Sequence, residues 1–188
     1  DAAGRPPPPC KGVCRVFICA STRCFPDQSL EQCCTSLADL QFDKFELWID
    51  EASSRIAPAD VAGAPESFAA RVREQTRLSP VAFCLGSEAV AGALFAGITK
   101  AAKLLSITQI TVPASPLGTP FNAEIDRLKE LVATGRQEGV RVSIKTQYGR
   151  LTEDPRTAVE LCQSVKGLGL TVDPSYYLAS PLGEQACE

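Results

Sequence analysis

Apolar residues recur along this chain in two periods, and the switches between them mark out its elements. In residues 44–50, Phe45, Leu47 and Ile49 alternate with Glu46, Trp48 and Asp50, the period of two that sends successive side chains to opposite faces of a strand. Short β-type runs also occupy residues 15–20, 80–85, 109–114, 141–146 and 169–172. Helical spacing fills the gaps. Ser29 opens a helix carrying Leu30, Cys33, Cys34, Leu37 and Leu40, and a second contains Phe68 and Val72. Others cover residues 89–105, 122–138 and 157–165, the fourth striped by Ile125, Leu128, Leu131 and Val132.

Strand, helix and strand repeat about every 30 residues, the size of a β/α unit, and predict an α/β fold with a parallel sheet covered by helices. Two architectures satisfy this, an open doubly wound sheet and a (β/α) barrel. The first strand is followed by Ala20-Ser21-Thr22-Arg23, which carries neither a dinucleotide-binding glycine fingerprint nor a phosphate-binding loop. Polar second faces decide further. Val142 and Ile144 oppose Ser143 and Lys145, and Leu170 and Val172 oppose Thr171 and Asp173. A sheet buried on both faces reads as a continuous apolar run, whereas a polar face suits a barrel interior that ends in a site. The expectation is a parallel TIM-barrel-like fold of six β/α units, incomplete beside the usual eight.

The chain has 188 residues and a net charge of -3, with no Lys/Arg-rich run. That balance gives no electrostatic reason to expect nucleic acid or an anionic membrane as a partner. The longest apolar stretch, near residues 89–98, is too short for a membrane span. Four consecutive prolines, Pro6 to Pro9, favour an extended segment. Residues 1–13 are expected to be a tail, residues 14–178 the barrel domain and residues 179–188 a second tail.

Nine cysteines, an odd count, occur without a C-x-x-C pair or any histidine, which argues against structural zinc. Cys10 lies in the tail and Cys14 directly after it, while Cys19, Cys33, Cys34, Cys84 and Cys162 sit in apolar stretches and read as small core residues. A cytoplasmic location follows, although a signal already removed leaves no trace.

Catalytic groups of such barrels stand at the C-terminal ends of strands. That rule gathers Ser21, Thr22 and Arg23 after the first strand, Glu46 and Asp50 on the second, and Ser115 after the fourth. It adds Lys145, Gln147 and Arg150 around the fifth, then Asp173, Ser175 and Tyr176 after the sixth. A polar, mixed-charge ring suits a small hydroxylated ligand, with Arg23 and Arg150 as candidates for a phosphate or carboxylate.

The segments Ser21-Thr22-Arg23-Cys24-Phe25-Pro26, residues 42–50, Thr111-Val112-Pro113, Val142-Ser143-Ile144-Lys145, Gly149-Arg150-Leu151-Thr152 and residues 170–177, in this order and spacing, resemble the sugar-phosphate isomerase/epimerase family of xylose-isomerase-like TIM barrels. The resemblance implies a divalent metal held by a glutamate ending the fifth strand, an aspartate and a histidine after the sixth, and ligands from the last two strands. Here Lys145 stands where the glutamate is expected and Tyr176 where the histidine is expected. Asp173 is the one retained ligand. An ammonium has no lone pair to donate, so no metal or other cofactor is expected. With strands about 4.8 Å apart, Lys145 and Asp173 are expected to pair and the ammonium to fill the metal's place.

Three readings follow. The first is a diverged, non-catalytic protein that binds a sugar-like ligand through Arg23, Gln147, Arg150, Asp173, Ser175 and Tyr176. The second is a Mn-, Mg- or Zn-dependent isomerase or epimerase completed by another chain or segment, with Glu46 as its base. The third makes Lys145 a Schiff-base nucleophile, which needs the neutral amine that a carboxylate alongside disfavours. Open strand edges further suggest a second copy or another partner as cover.

Overall fold

The structure is a computed structural model in which residues 16–51, 56–87 and 89–178 are described. Six strands, β1 (Ala20–Ser21), β2 (Lys44–Ile49), β3 (Ser79–Leu85), β4 (Gln109–Pro113), β5 (Arg141–Lys145) and β6 (Gly169–Thr171), pair in sequence order. Every pairing is parallel. Among the described residues β1 pairs only with β2 and β6 only with β5, so the sheet is not closed and the fold is that of an incomplete barrel.

The crossovers are α1 (Leu30–Asp39), α2 (Pro58–Gly63) with α3 (Pro65–Gln75), α4 (Gly92–Leu104), α5 (Phe121–Gln137) and α6 (Pro155–Ser164), and α7 (Pro174–Leu178) follows β6. Local chemistry sets their starts. Ser29 Oγ accepts the Gln32 amide while Gln32 Oε1 accepts the Ser29 amide, a reciprocal cap that fixes the entry to α1. Asp154 accepts the Thr157 amide at the head of α6, where Pro155 supplies a preset φ. The short α2, also begun by a proline, lacks an apolar stripe long enough to announce it.

The outward face of the sheet packs on the helices. Phe45, Leu47 and Ile49 of β2 are fully buried, with Phe83, Ile110 and Ile144 beside them and Phe68, Phe95, Ile98 and Leu128 supplied by helices. Phe68 meets Phe83 edge to face at 6.3 Å, a favourable aromatic geometry. The other face carries Glu46, Trp48, Cys84, Thr111, Ser143, Lys145 and Thr171, so the polar second face expected from the pattern is the inner one.

Both ends of the sheet depart from expectation. The strand predicted over residues 15–20 shrinks to Ala20–Ser21, and Arg15 lies outside the described residues. Ala20 lies opposite Phe45, so residues before Cys19 would face chain that precedes β2, including the left-handed Gln41. Val16, Phe17 and Ile18 join no strand among the described residues and are exposed, and so is Cys19, which is therefore no core residue. At the opposite edge Leu170 on β6 and Val172 just after it are exposed. The expected tails at 1–13 and 179–188, with Cys10 and Cys14, lie outside the described residues.

Candidate functional site

At the C-terminal end of the sheet a cavity of about 190 Å³ is lined by Ser21, Arg23, Cys24, Glu46, Trp48, Cys84 and Lys145. Its wall on the β1 side is a single turn, Thr22–Cys24, begun where Ser21 Oγ accepts the Arg23 amide. Thr22 Oγ1 accepts the Trp48 amide at 3.0 Å and ties that turn to β2. The Arg23 guanidinium consequently lies over the Trp48 ring, 4.4 Å from its centroid, within cation–π range.

Glu46 projects from β2 into the same space. Burial pushes its carboxyl above the ordinary carboxylate range, against the pull of a Ser21 hydrogen bond and the Lys145 charge. A carboxyl so placed can exchange a proton closer to neutrality than a solvated one. Cys84, one strand over, has its thiol pushed up to about 12, first by burial and then by the Glu46 charge. That thiol is a packing group and no nucleophile.

Lys145 joins this cavity to the end of β6. Its Nζ lies 3.4 Å from Asp173 Oδ2 and 5.1 Å from the centroid of the Tyr176 ring. Backbone contacts hold both ends of the pair. The Lys145 carbonyl accepts Thr152 Oγ1 at 2.8 Å, and Thr146 Oγ1 accepts the Asp173 amide at 2.7 Å while donating to its carbonyl. Asp173 Oδ1 takes the amide and hydroxyl of Ser175, leaving Oδ2 for Lys145. Partial burial opposes the charged form of Asp173, but Ser175 and Lys145 outweigh it and hold the carboxyl below its usual range.

Beneath the pair three hydroxyls form a triangle. Ser143 Oγ lies 3.2 Å from Thr111 Oγ1 and 2.7 Å from Thr171 Oγ1, which are 3.1 Å from each other. Gln109 Nε2 donates to the same Ser143 oxygen. The triangle pins the inner faces of β4, β5 and β6 together and forms a polar floor.

The sequence-derived ring thus splits. Arg23, Glu46 and Lys145 share the cavity, and Asp173, Ser175 and Tyr176 adjoin it through Lys145. Gln147 is half-buried outside the cavity lining. Arg150 reaches the Ala114 carbonyl and its backbone bridges Pro116, so it braces the β4 and β5 loops and stands apart from Arg23. Ser115 is buried, its amide and hydroxyl both given to Glu124, which Arg127 also binds with two nitrogens. The floor hydroxyls, Thr146 and the Glu124–Arg127 pair escaped the sequence reading. Thr111 and Ser143 did alternate inward, but nothing in a single strand announces a cross-strand triangle.

The geometry defines an α/β barrel-type fold whose site lies at the C-terminal ends of its strands. No protein-family description matches the chain, and no curated protein sequence does. Solved structures do match. A xylose isomerase-like TIM barrel protein from Mycobacterium smegmatis in complex with magnesium superposes with a TM-score of 0.70 at 13% identity, over 89% of this chain and 69% of that one. An L-ribulose 3-epimerase gives 0.64 at 14%, over 87% and 62%. A D-allulose 3-epimerase from Methylomonas sp. in complex with D-allulose gives 0.57 at 10%, over 78% and 57%. The chain therefore has the xylose isomerase-like barrel fold and spans roughly two thirds of the length of these neighbours.

The residues present do not fit the metal that one neighbour carries. No group of three or more His, Cys, Asp or Glu that could hold an ion occurs among the described residues, and the ammonium of Lys145 sits directly on the Asp173 oxygen left available. Nor is any helix among the described residues long and apolar enough to cross a membrane.

Proposed function

We propose that the cavity bounded by Arg23, Glu46, Trp48 and Lys145 takes a small hydroxylated or phosphorylated ligand, and that the chain is a diverged, non-catalytic counterpart of sugar isomerases and epimerases. The observation that carries this reading is the Lys145–Asp173 pair, which sets an ammonium against the one aspartate of the expected metal set. Arg23 offers a planar donor for phosphate or carboxylate, Trp48 an apolar ring face, and Glu46 with Ser21 acceptors for hydroxyls. The sugar seen in one structural neighbour supports the ligand class.

Epimerisation and aldose–ketose isomerisation both remove a proton from carbon beside a carbonyl and need the developing oxyanion stabilised. In deuterium oxide, such chemistry would write deuterium into the substrate. The expected result is that free and phosphorylated sugars bind yet gain no carbon-bound deuterium. Incorporation that disappears in Glu46→Gln would overturn the non-catalytic reading.

A second reading is favoured by the share of the neighbours that the chain covers. In it, a further segment or partner at the open β6 edge completes a metal-dependent isomerase or epimerase. Metal-dependent deuterium incorporation after addition of that segment separates the two.

A further inference from the structure

The cavity at the strand ends holds a carboxyl group beside an arginine that faces no carboxylate, and that combination constrains which anion enters. We infer that the cavity takes the carboxylate of a small hydroxy acid against Arg23, and that Glu46 takes up a proton as this anion enters and donates it in a hydrogen bond to the ligand. The inference rests on the ligand-binding part of the proposed function and names the ligand class more narrowly.

Arg23 and Glu46 line one space of about 190 Å³, yet among the described residues neither forms a salt bridge. The guanidinium is exposed and lies over the Trp48 ring. A guanidinium presents its N–H groups in its own plane, a fork that matches a planar carboxylate in a bidentate contact. The space is smaller than the roughly 300 Å³ at which pockets for drug-sized ligands begin, which favours a compound of a few carbons.

Glu46 sets the condition for entry. It is half-buried in the wall of the same cavity, with a Ser21 hydrogen bond to its carboxyl. Ionised, it repels a second carboxylate in so small a space, and two carboxylates that share a site hold one proton between them. Protonated, it turns that repulsion into a charge-assisted O–H···O⁻ hydrogen bond. The proton comes from solvent. Burial already works against the Glu46 charge. A phosphate monoester brings close to two negative charges to the same wall, so a hydroxy acid is the better match.

The other titratable or charged groups around Glu46 are Cys19 beside β1, Arg23 and Cys24 on the turn, Cys84 on β3 and Lys145 on β5. Burial raises the Cys19 and Cys84 thiols, which therefore stay protonated through neutrality. Glu46→Gln separates Glu46 from all of them, because the amide keeps a donor in the same place and takes up no proton.

Calorimetric titration of the full 188-residue chain with D-glycerate, in buffers that differ in ionisation enthalpy, counts the protons taken up per ligand bound. Wild type is expected to take up as much as one proton per glycerate and to lose affinity by up to about tenfold per pH unit between about pH 6 and 8. Glu46→Gln is expected to bind glycerate with no uptake and with an affinity constant over that range. Glycerate binding by wild type without proton uptake overturns the inference, as does uptake that survives in Glu46→Gln. Should Glu46→Gln lose its native circular dichroism, the Glu46 carboxyl ¹³C resonance of wild type serves instead. Its titration is expected to move to higher pH when glycerate is present, and an unmoved titration overturns the inference. Failure of glycerate to bind where a sugar phosphate does overturns this inference alone, whereas failure of both compounds overturns the proposed function with it.

Discussion

Arg23 lies 4.4 Å over the ring of Trp48, so the chain's one tryptophan and a candidate anion-binding group are a single unit. Any ligand that draws the guanidinium away, or stacks in its place, changes the surroundings of that ring. Trp48 fluorescence is therefore expected to shift or quench saturably on titration with a sugar phosphate. Arg23→Ala is expected to weaken that response by about tenfold, the loss of one charge-assisted contact. An unchanged titration in Arg23→Ala removes Arg23 from the site.

Glu124 is fully buried and bound by Ser115 and by two nitrogens of Arg127. Burial works against its charge, but Arg127 and Ser115 outweigh that and hold the carboxyl below its usual range. Arg127 Nη1 has no partner among the described residues, so the guanidinium has little reserve if Glu124 is lost. Glu124→Gln is expected to cost about 3 kcal/mol in denaturant unfolding. A carboxylate with a depressed folded pKa stabilises above its unfolded value, near 4.3, and loses that contribution as pH falls through the folded value. Wild type should accordingly lose stability below about pH 4, with a flatter acid limb in Glu124→Gln.

For Glu46 the sign is opposite. Burial raises its carboxyl, so its contribution is present below the unfolded pKa and is lost as pH rises through the folded one. Glu46→Gln is expected to raise Tm at pH 7 by about 2 °C, with the gain vanishing near pH 4. A loss of stability at pH 7 would make Glu46 a structural ion-pair partner instead of a strained site group.

Much of the fold was legible because its signals are local. The alternation in β2, the stripe of α5 and the cap at Ser29 each name their element without knowledge of the rest. What was not legible depends on neighbours. Residues 16–18 have strand chemistry but fall opposite the chain that precedes β2, and Leu170 and Val172 alternate correctly yet stay exposed. The site divides likewise. Lys145 and Asp173 follow from the ends of adjacent strands in one parallel sheet, whereas Arg150 looks equivalent to Arg23 in sequence and is turned to the Ala114 carbonyl. Whether an arginine faces a cavity or braces a loop is settled by tertiary packing.

The open edges carry a prediction of their own. Unpaired strand edges beside exposed apolar groups favour association, and β6 presents Leu170 at 36% exposure, with Val172 just after it at 57%. The 188-residue chain is expected to self-associate in sedimentation at increasing concentration. Val172→Lys is expected to reduce that association, since a charge on an edge opposes pairing. Equal self-association by the variant would place the contact elsewhere.

The cavity is expected to bind its ligand with the Lys145 ammonium present and no metal required. Isothermal titration of free and phosphorylated pentoses and hexoses into the protein, in excess chelator, tests it most directly. The expected result is saturable binding of at least one compound in chelator, with the same affinity when Mn²⁺ replaces the chelator. Binding that appears only with Mn²⁺, or no binding in either condition, would contradict it.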